Sequence, residues 1–75
     1  MKITGTRSYI QIEIDGKVVK VEGEMLIGSF AAEKDSMRHW EPPYEKEWLS
    51  EKEKQDIMEQ VTETTKDSYM VITFE

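Results

Sequence analysis

Cysteine is absent from the 75 residues. That excludes a disulfide framework and a thiolate metal site. A chain this short has one domain's worth of residues, spanning 1–75, and must hold itself together by packing one apolar layer well or by self-association. Lack of cysteine also fits a reducing compartment. Histidine occurs once, at His39, so no histidine pair stands at the spacing of a zinc site. The four glycines, at 5, 16, 23 and 28, are scattered, and neither a GxGxxG nor a P-loop can be assembled from them. Asp15-Gly16 lacks the further carboxylates of a calcium loop. Apolar runs are short, Met25-Leu26-Ile27 being typical, and none approaches the roughly 20 residues of a membrane span. Behind the basic start, Met1 to Arg7, no apolar stretch follows, so no signal peptide is expected. The expectation is a soluble, cytoplasmic protein with no membrane partner.

Basic clusters are missing too. Ten Lys and Arg stand against sixteen Asp and Glu, a net charge of −6. Residues 1–40 hold six acids and six bases, whereas residues 41–75 hold ten acids and four bases. All the net charge therefore lies in the second half. Such a surface repels nucleic acid and attracts basic partners. Its plainer role is solubility.

What is present reads as alternating strands and one helix. Ile10, Ile12 and Ile14 alternate with Gln11 and Glu13, the period of a half-buried strand. Asp15-Gly16 then predicts a tight hairpin, and Lys17–Glu22 a returning strand with Val19 and Val21 inward. Gly23 is expected to turn the chain into a third strand, Glu24–Ala32, with Gly28 marking a bulge. Ser50-Glu51-Lys52-Glu53 has the form of a capping box. It predicts a helix from Glu51 to about Thr65, with Ile57, Met58, Val61 and Thr65 as its apolar stripe. Its last residues, Thr62 to Thr65, form helix poorly. Ser68–Glu75 closes as a final strand, with Met70, Ile72 and Phe74 inward. The expected fold class is α+β, a four-stranded mainly antiparallel sheet with one helix packed on one face, in the order β-β-β-α-β. Leu26 and Phe30 are assigned to the core of this sheet. The opposite face would carry Tyr9, Val18, Met25, Ile27, Tyr69 and Val71, and the loop 33–49 is expected to fold partly over it.

That loop centres on Trp40-Glu41-Pro42-Pro43-Tyr44-Glu45. Each proline restricts the residue before it, which predicts a short polyproline II stretch. Long loops in small domains carry function or pack on their own side chains. Trp40, Tyr44 and Trp48 suit either role, as recognition anchors or as core plugs. Asp35, Ser36 and His39 lie near one another in sequence, but a catalytic triad is defined by convergent geometry and not by proximity along the chain. No enzymatic activity, cofactor or metal is expected.

The stretch Lys34-Asp35-Ser36-Met37-Arg38-His39-Trp40-Glu41-Pro42-Pro43-Tyr44-Glu45 resembles the Trp-Glu-Pro-Pro segment of a small predicted immunity-protein family of bacterial polymorphic toxin systems. The flanks agree in type: a hairpin before, an acidic helix and a closing strand after. The resemblance implies a protein that binds and neutralises a cognate toxin inside the cell that makes both, and it marks out Trp40, Glu41, Pro42 and Pro43. Many such toxins are nucleases, whose sites are basic to hold phosphate. Asp56, Glu59 and Glu63 on the helix, with Glu41, Glu45 and Glu47, offer the complementary charge. Trp40, Tyr44 and Trp48 offer the anchors. The competing reading is a small homodimeric structural or regulatory module without enzymatic activity, paired through its less covered sheet face.

Overall fold

The computed structural model describes residues 1–75. Strands β1 (Lys2–Gly5), β2 (Tyr9–Ile14), β3 (Lys17–Leu26), β4 (Ser29–Ala32) and β5 (Val71–Phe74) form one curled mixed sheet in that spatial order. A single helix, α1 (Glu51–Thr65), crosses one side. The α+β class is as expected, but the sheet has five strands where four were expected. The extra one is β1, which pairs antiparallel with β2, setting Ile3 opposite Ile12. It is a four-residue edge strand held by its ladder, and Ile3 alone leaves no period to read.

The β2–β3 hairpin forms as its sequence predicts. Asp15 (φ 51°) and Gly16 (φ 81°) supply the two positive angles of a type I′ turn. Gly23, expected as the next turn, lies inside β3. A Cβ at Gly23 would overlap the Ala31 carbonyl oxygen and the Phe30 ring, so glycine serves here to let two strands and a ring approach closely. The reversal comes at Ile27-Gly28 instead. The expected third strand is therefore split between β3 and β4, and Leu26 is about half exposed and outside the core.

β5 runs parallel to β4, with Phe30 opposite Ile72, which corrects the mainly antiparallel expectation at this edge. The cause is the connection. Strand, loop, helix and strand make a crossover that returns the chain in its original direction. Ile10, Ile12, Val19, Val21, Phe30, Ile57, Val61 and Ile72 form the buried core, as assigned. Ala32, Met37, Trp40 and Leu49 join the same cluster. The loop thus completes the helix-side core, and its Glu33, Asp35, Arg38 and Glu41 also border Lys20 and Glu22, which alternate with the buried Val19 and Val21 and so point to the opposite sheet face.

The capping box is present in both halves: Glu53 N–H donates to Ser50 Oγ (3.1 Å) and Ser50 N–H to Glu53 Oε1 (3.0 Å). The weak C-terminus is pinned. Thr65 is buried, its hydroxyl donates to the Val61 carbonyl (2.9 Å) and accepts from Ile72 N–H (3.1 Å), tying the helix end to β5.

Candidate partner-binding site

After β4 the chain keeps to the free edge of β3. Glu33 N–H donates to the Glu22 carbonyl (2.8 Å) and Glu41 N–H to the Val18 carbonyl (2.7 Å). Between them, Ser36 Oγ accepts from Glu22 N–H (2.9 Å) and donates to the Glu33 carbonyl (2.7 Å). The loop then doubles back. Trp40 N–H donates to the Glu47 carbonyl (3.2 Å), Leu49 N–H to the Arg38 carbonyl (2.9 Å), and His39 pairs antiparallel with Trp48. Its tip turns at Glu41–Tyr44, where Tyr44 N–H donates to the Glu41 carbonyl (3.0 Å) across a cis Pro42–Pro43 bond. This is a tight turn and not the expected polyproline II stretch.

The small ladder decides which tryptophan faces which way. Neighbours along a strand point to opposite faces, and residues directly opposite share one. Trp40 and Leu49 point into the core, each 7% exposed, while Trp48 stands 68% exposed. His39 and Trp48 share the outer face, with ring centroids 5.5 Å apart at 72°, an edge-on contact. The proline pair hides this pairing in the sequence, because no alternation survives across it.

Lys17 fastens the loop to the sheet. Its ammonium lies 2.7 Å from Glu47 Oε1, 5.0 Å from the centre of the Tyr44 ring and 5.8 Å from that of Trp40. The hydrogen bond to the Glu47 carboxylate holds this ammonium above the ordinary lysine range, against the partial desolvation that would lower it. Sequence reading missed this role. The one available signal was that Lys17 begins a strand next to a turn.

The ten residues singled out from sequence do not form one patch. Trp40 and Asp56 share a groove of about 280 Å³ between the β2–β3 turn and α1, with Lys17 and Glu53. Glu59 and Glu63, three and seven residues on from Asp56 and so on the same side of the helix, border a second groove beside Met58 and Phe74. Glu41 borders a polar cleft of about 360 Å³ with Glu22, Glu33 and Asp35. Pro42, Pro43, Tyr44 and Glu45 are exposed on the outside of the loop, and Trp48 stands on its outer face. Two of the helix acids are already paired along the helix, Asp56 with Lys52 (3.8 Å) and Glu63 with Lys66 (2.8 Å). Glu59 accepts from Gln55 (3.1 Å).

Ser36 and His39 have other partners than each other. The Ser36 hydroxyl is engaged with Glu22 and Glu33, and His39 Nδ1 meets the Trp40 carbonyl at 2.9 Å. No group of three or more His, Cys, Asp or Glu side chains converges on a point where a metal could be held. What the loop surface offers chemically is carboxylates, with Lys20 and Arg38 among them, and the raised ring of Trp48, the equipment of recognition.

The fold and surface are those of a small α+β domain with a candidate recognition face. The family model that matches, described as immunity protein 74, covers residues 2–75, and the chain belongs to that family. Families of immunity proteins are generally non-enzymatic and imply a toxin partner. No curated protein matches the chain. No solved structure matches it.

Proposed function

We propose that the protein binds a cognate toxin of a polymorphic toxin system in the cytoplasm and neutralises it by occupying its working surface. The observation that carries this is Trp48. A large ring is held 68% exposed on a hydrogen-bonded ladder, braced by His39, in a chain that belongs to an immunity-protein family. A rigid exposed tryptophan loses little entropy on binding and contributes much contact area. Glu41, Pro42, Pro43, Tyr44 and Glu45 extend the surface around it. The acids of α1, Asp56, Glu59 and Glu63, set the charge that draws a basic partner, a nuclease above all. Trp40 acts from beneath, as the packed support of the loop.

The test is co-purification of the tagged protein with the product of the neighbouring toxin gene. Stoichiometric capture, lost with Trp48→Ala in a folded protein, is the expected result. Capture unaffected by Trp48→Ala would remove the loop from the interface. The homodimeric module is favoured by a separate observation, the exposed Met25, Leu26, Ile27 and Tyr69.

A further inference from the structure

β3 has ten residues, and at about 3.3 Å per residue its tip lies roughly 30 Å from the Asp15-Gly16 turn. At that far end Met25 and Leu26 are nearly half exposed, Tyr69 is 93% exposed, and Ile27 is fully so. Val71 N–H donates to the Gly28 carbonyl (3.1 Å), which brings Tyr69 beside the hairpin tip. Turn tips ordinarily carry glycine or small polar residues. Ile27 stands out here as an unburied apolar knob. Next to it is a hole. A mostly apolar cleft of about 320 Å³ opens between the two sheet edges, with Ile3 on the β1 side, Met70 and Ile72 on the β5 side, and Met25 and Tyr69 at one end.

We propose that this end of the molecule is a self-association surface, on which Ile27 of each of two copies seats in the β1–β5 cleft of the other. Knob and hole lie at the same end of one chain, so a two-fold axis satisfies both twice. Charge selects a second copy as the occupant. The charged residues of the segments that build this end are Arg7, Glu24, Lys66 and Asp67, two of each sign, whereas the whole chain carries −6. Two acidic chains repel where their acidic halves meet, and a neutral end is where they approach without that cost. A basic partner is drawn to the acidic surfaces and gains no steering here. Size sets the strength. A standard interface takes about 800 Å² from each partner, about 15% of this chain's 5216 Å². Four exposed side chains and one cleft supply only part of that, so the dimer is concentration-dependent. The inference does not rest on toxin binding, because it leaves Trp48 and the acids of α1 free.

Sedimentation equilibrium on the purified full chain, over a wide concentration range, tests it. The wild type should rise from the monomer mass of 8.8 kDa toward twofold. Ile27→Glu should stay at the monomer mass with an unchanged circular dichroism spectrum. Tyr69→Glu should do the same, and Trp48→Ala should dimerise like the wild type. A wild type that is monomeric throughout, or a dimer untouched by Ile27→Glu, overturns the proposal. So does loss of toxin capture by Ile27→Glu from a wild type that never dimerises, which would give this end to the toxin. A wild type that dimerises through Ile27 but captures no toxin leaves this inference standing and removes the toxin reading alone.

Discussion

The Lys17 ammonium and the Glu47 carboxylate meet at 2.7 Å, thirty residues apart in sequence, and close the tryptophan loop against the start of β3. The same ammonium faces the rings of Tyr44 and Trp40. One side chain thus joins the acidic, aromatic and sheet parts of the candidate site. Both partners are partly exposed, with side chains 33% and 50% accessible. Its effect is on loop geometry more than on global stability.

Lys17→Met should therefore change the setting of the loop. The sign of the pH dependence follows from the raised pKa. The stabilising contribution is fully present below the ordinary lysine value and is lost as pH rises through the folded-state value above it. The difference in unfolding midpoint between wild type and Lys17→Met should be steady at neutral pH and shrink only in strong alkali. A difference that already shrinks in mild alkali, well below the ordinary lysine value, would assign the effect to another group.

The two tryptophans should separate cleanly. Trp40→Ala removes a buried core ring and should cost about 3–5 kcal/mol in chemical denaturation. Trp48→Ala should stay within about 0.5 kcal/mol of wild type, yet weaken toxin binding by about 2 kcal/mol or more, as a hot-spot residue does. Equal stability losses for both would contradict the inward and outward assignment.

Thr65→Val keeps the shape but removes the acceptor for Ile72 N–H. Leaving that buried donor unpaired should cost about 1–3 kcal/mol. Thr65→Ser, which keeps the hydroxyl, should recover most of it. Hydrogen exchange at the Ile72 amide reads the same bond directly, and fast exchange in the wild type would show the bond to be absent.

Gly23→Ala forces a methyl against the Ala31 carbonyl and the Phe30 ring. Overpacking of this kind should destabilise the protein by about 1–3 kcal/mol. A neutral substitution would mean that β3 and β4 can part at that point.

Much of the fold was legible, for local reasons. The Ile10, Ile12, Ile14 alternation, the Asp15-Gly16 turn and the Ser50–Glu53 capping box each specify their element within a few residues. What escaped depends on partners far along the chain. β1 is a strand because β2 offers it an edge. Gly23 looks like a turn until Phe30 is seen to need its space. β5 is parallel because of the path between Glu33 and Ser50, which no periodicity records. The site was legible as a list and not as a geometry. Trp40 and Trp48 are equivalent in composition, and only the His39–Trp48 pairing turns one in and the other out.

The helix acids should govern rate. Neutralising Glu59 and Glu63 together, as Glu59→Gln and Glu63→Gln, should slow toxin association and flatten its salt dependence, with less effect on dissociation. Stopped-flow mixing at low and high salt checks this, and an unchanged salt dependence would place the toxin elsewhere.

The most direct measurement is calorimetric titration of the neighbouring-gene toxin domain into the purified protein, wild type and Trp48→Ala side by side. The account predicts a saturable complex for the wild type and at least a thirtyfold weaker one for Trp48→Ala, the equivalent of about 2 kcal/mol. No heat of binding with the wild type, or identical affinity for both proteins, would contradict it.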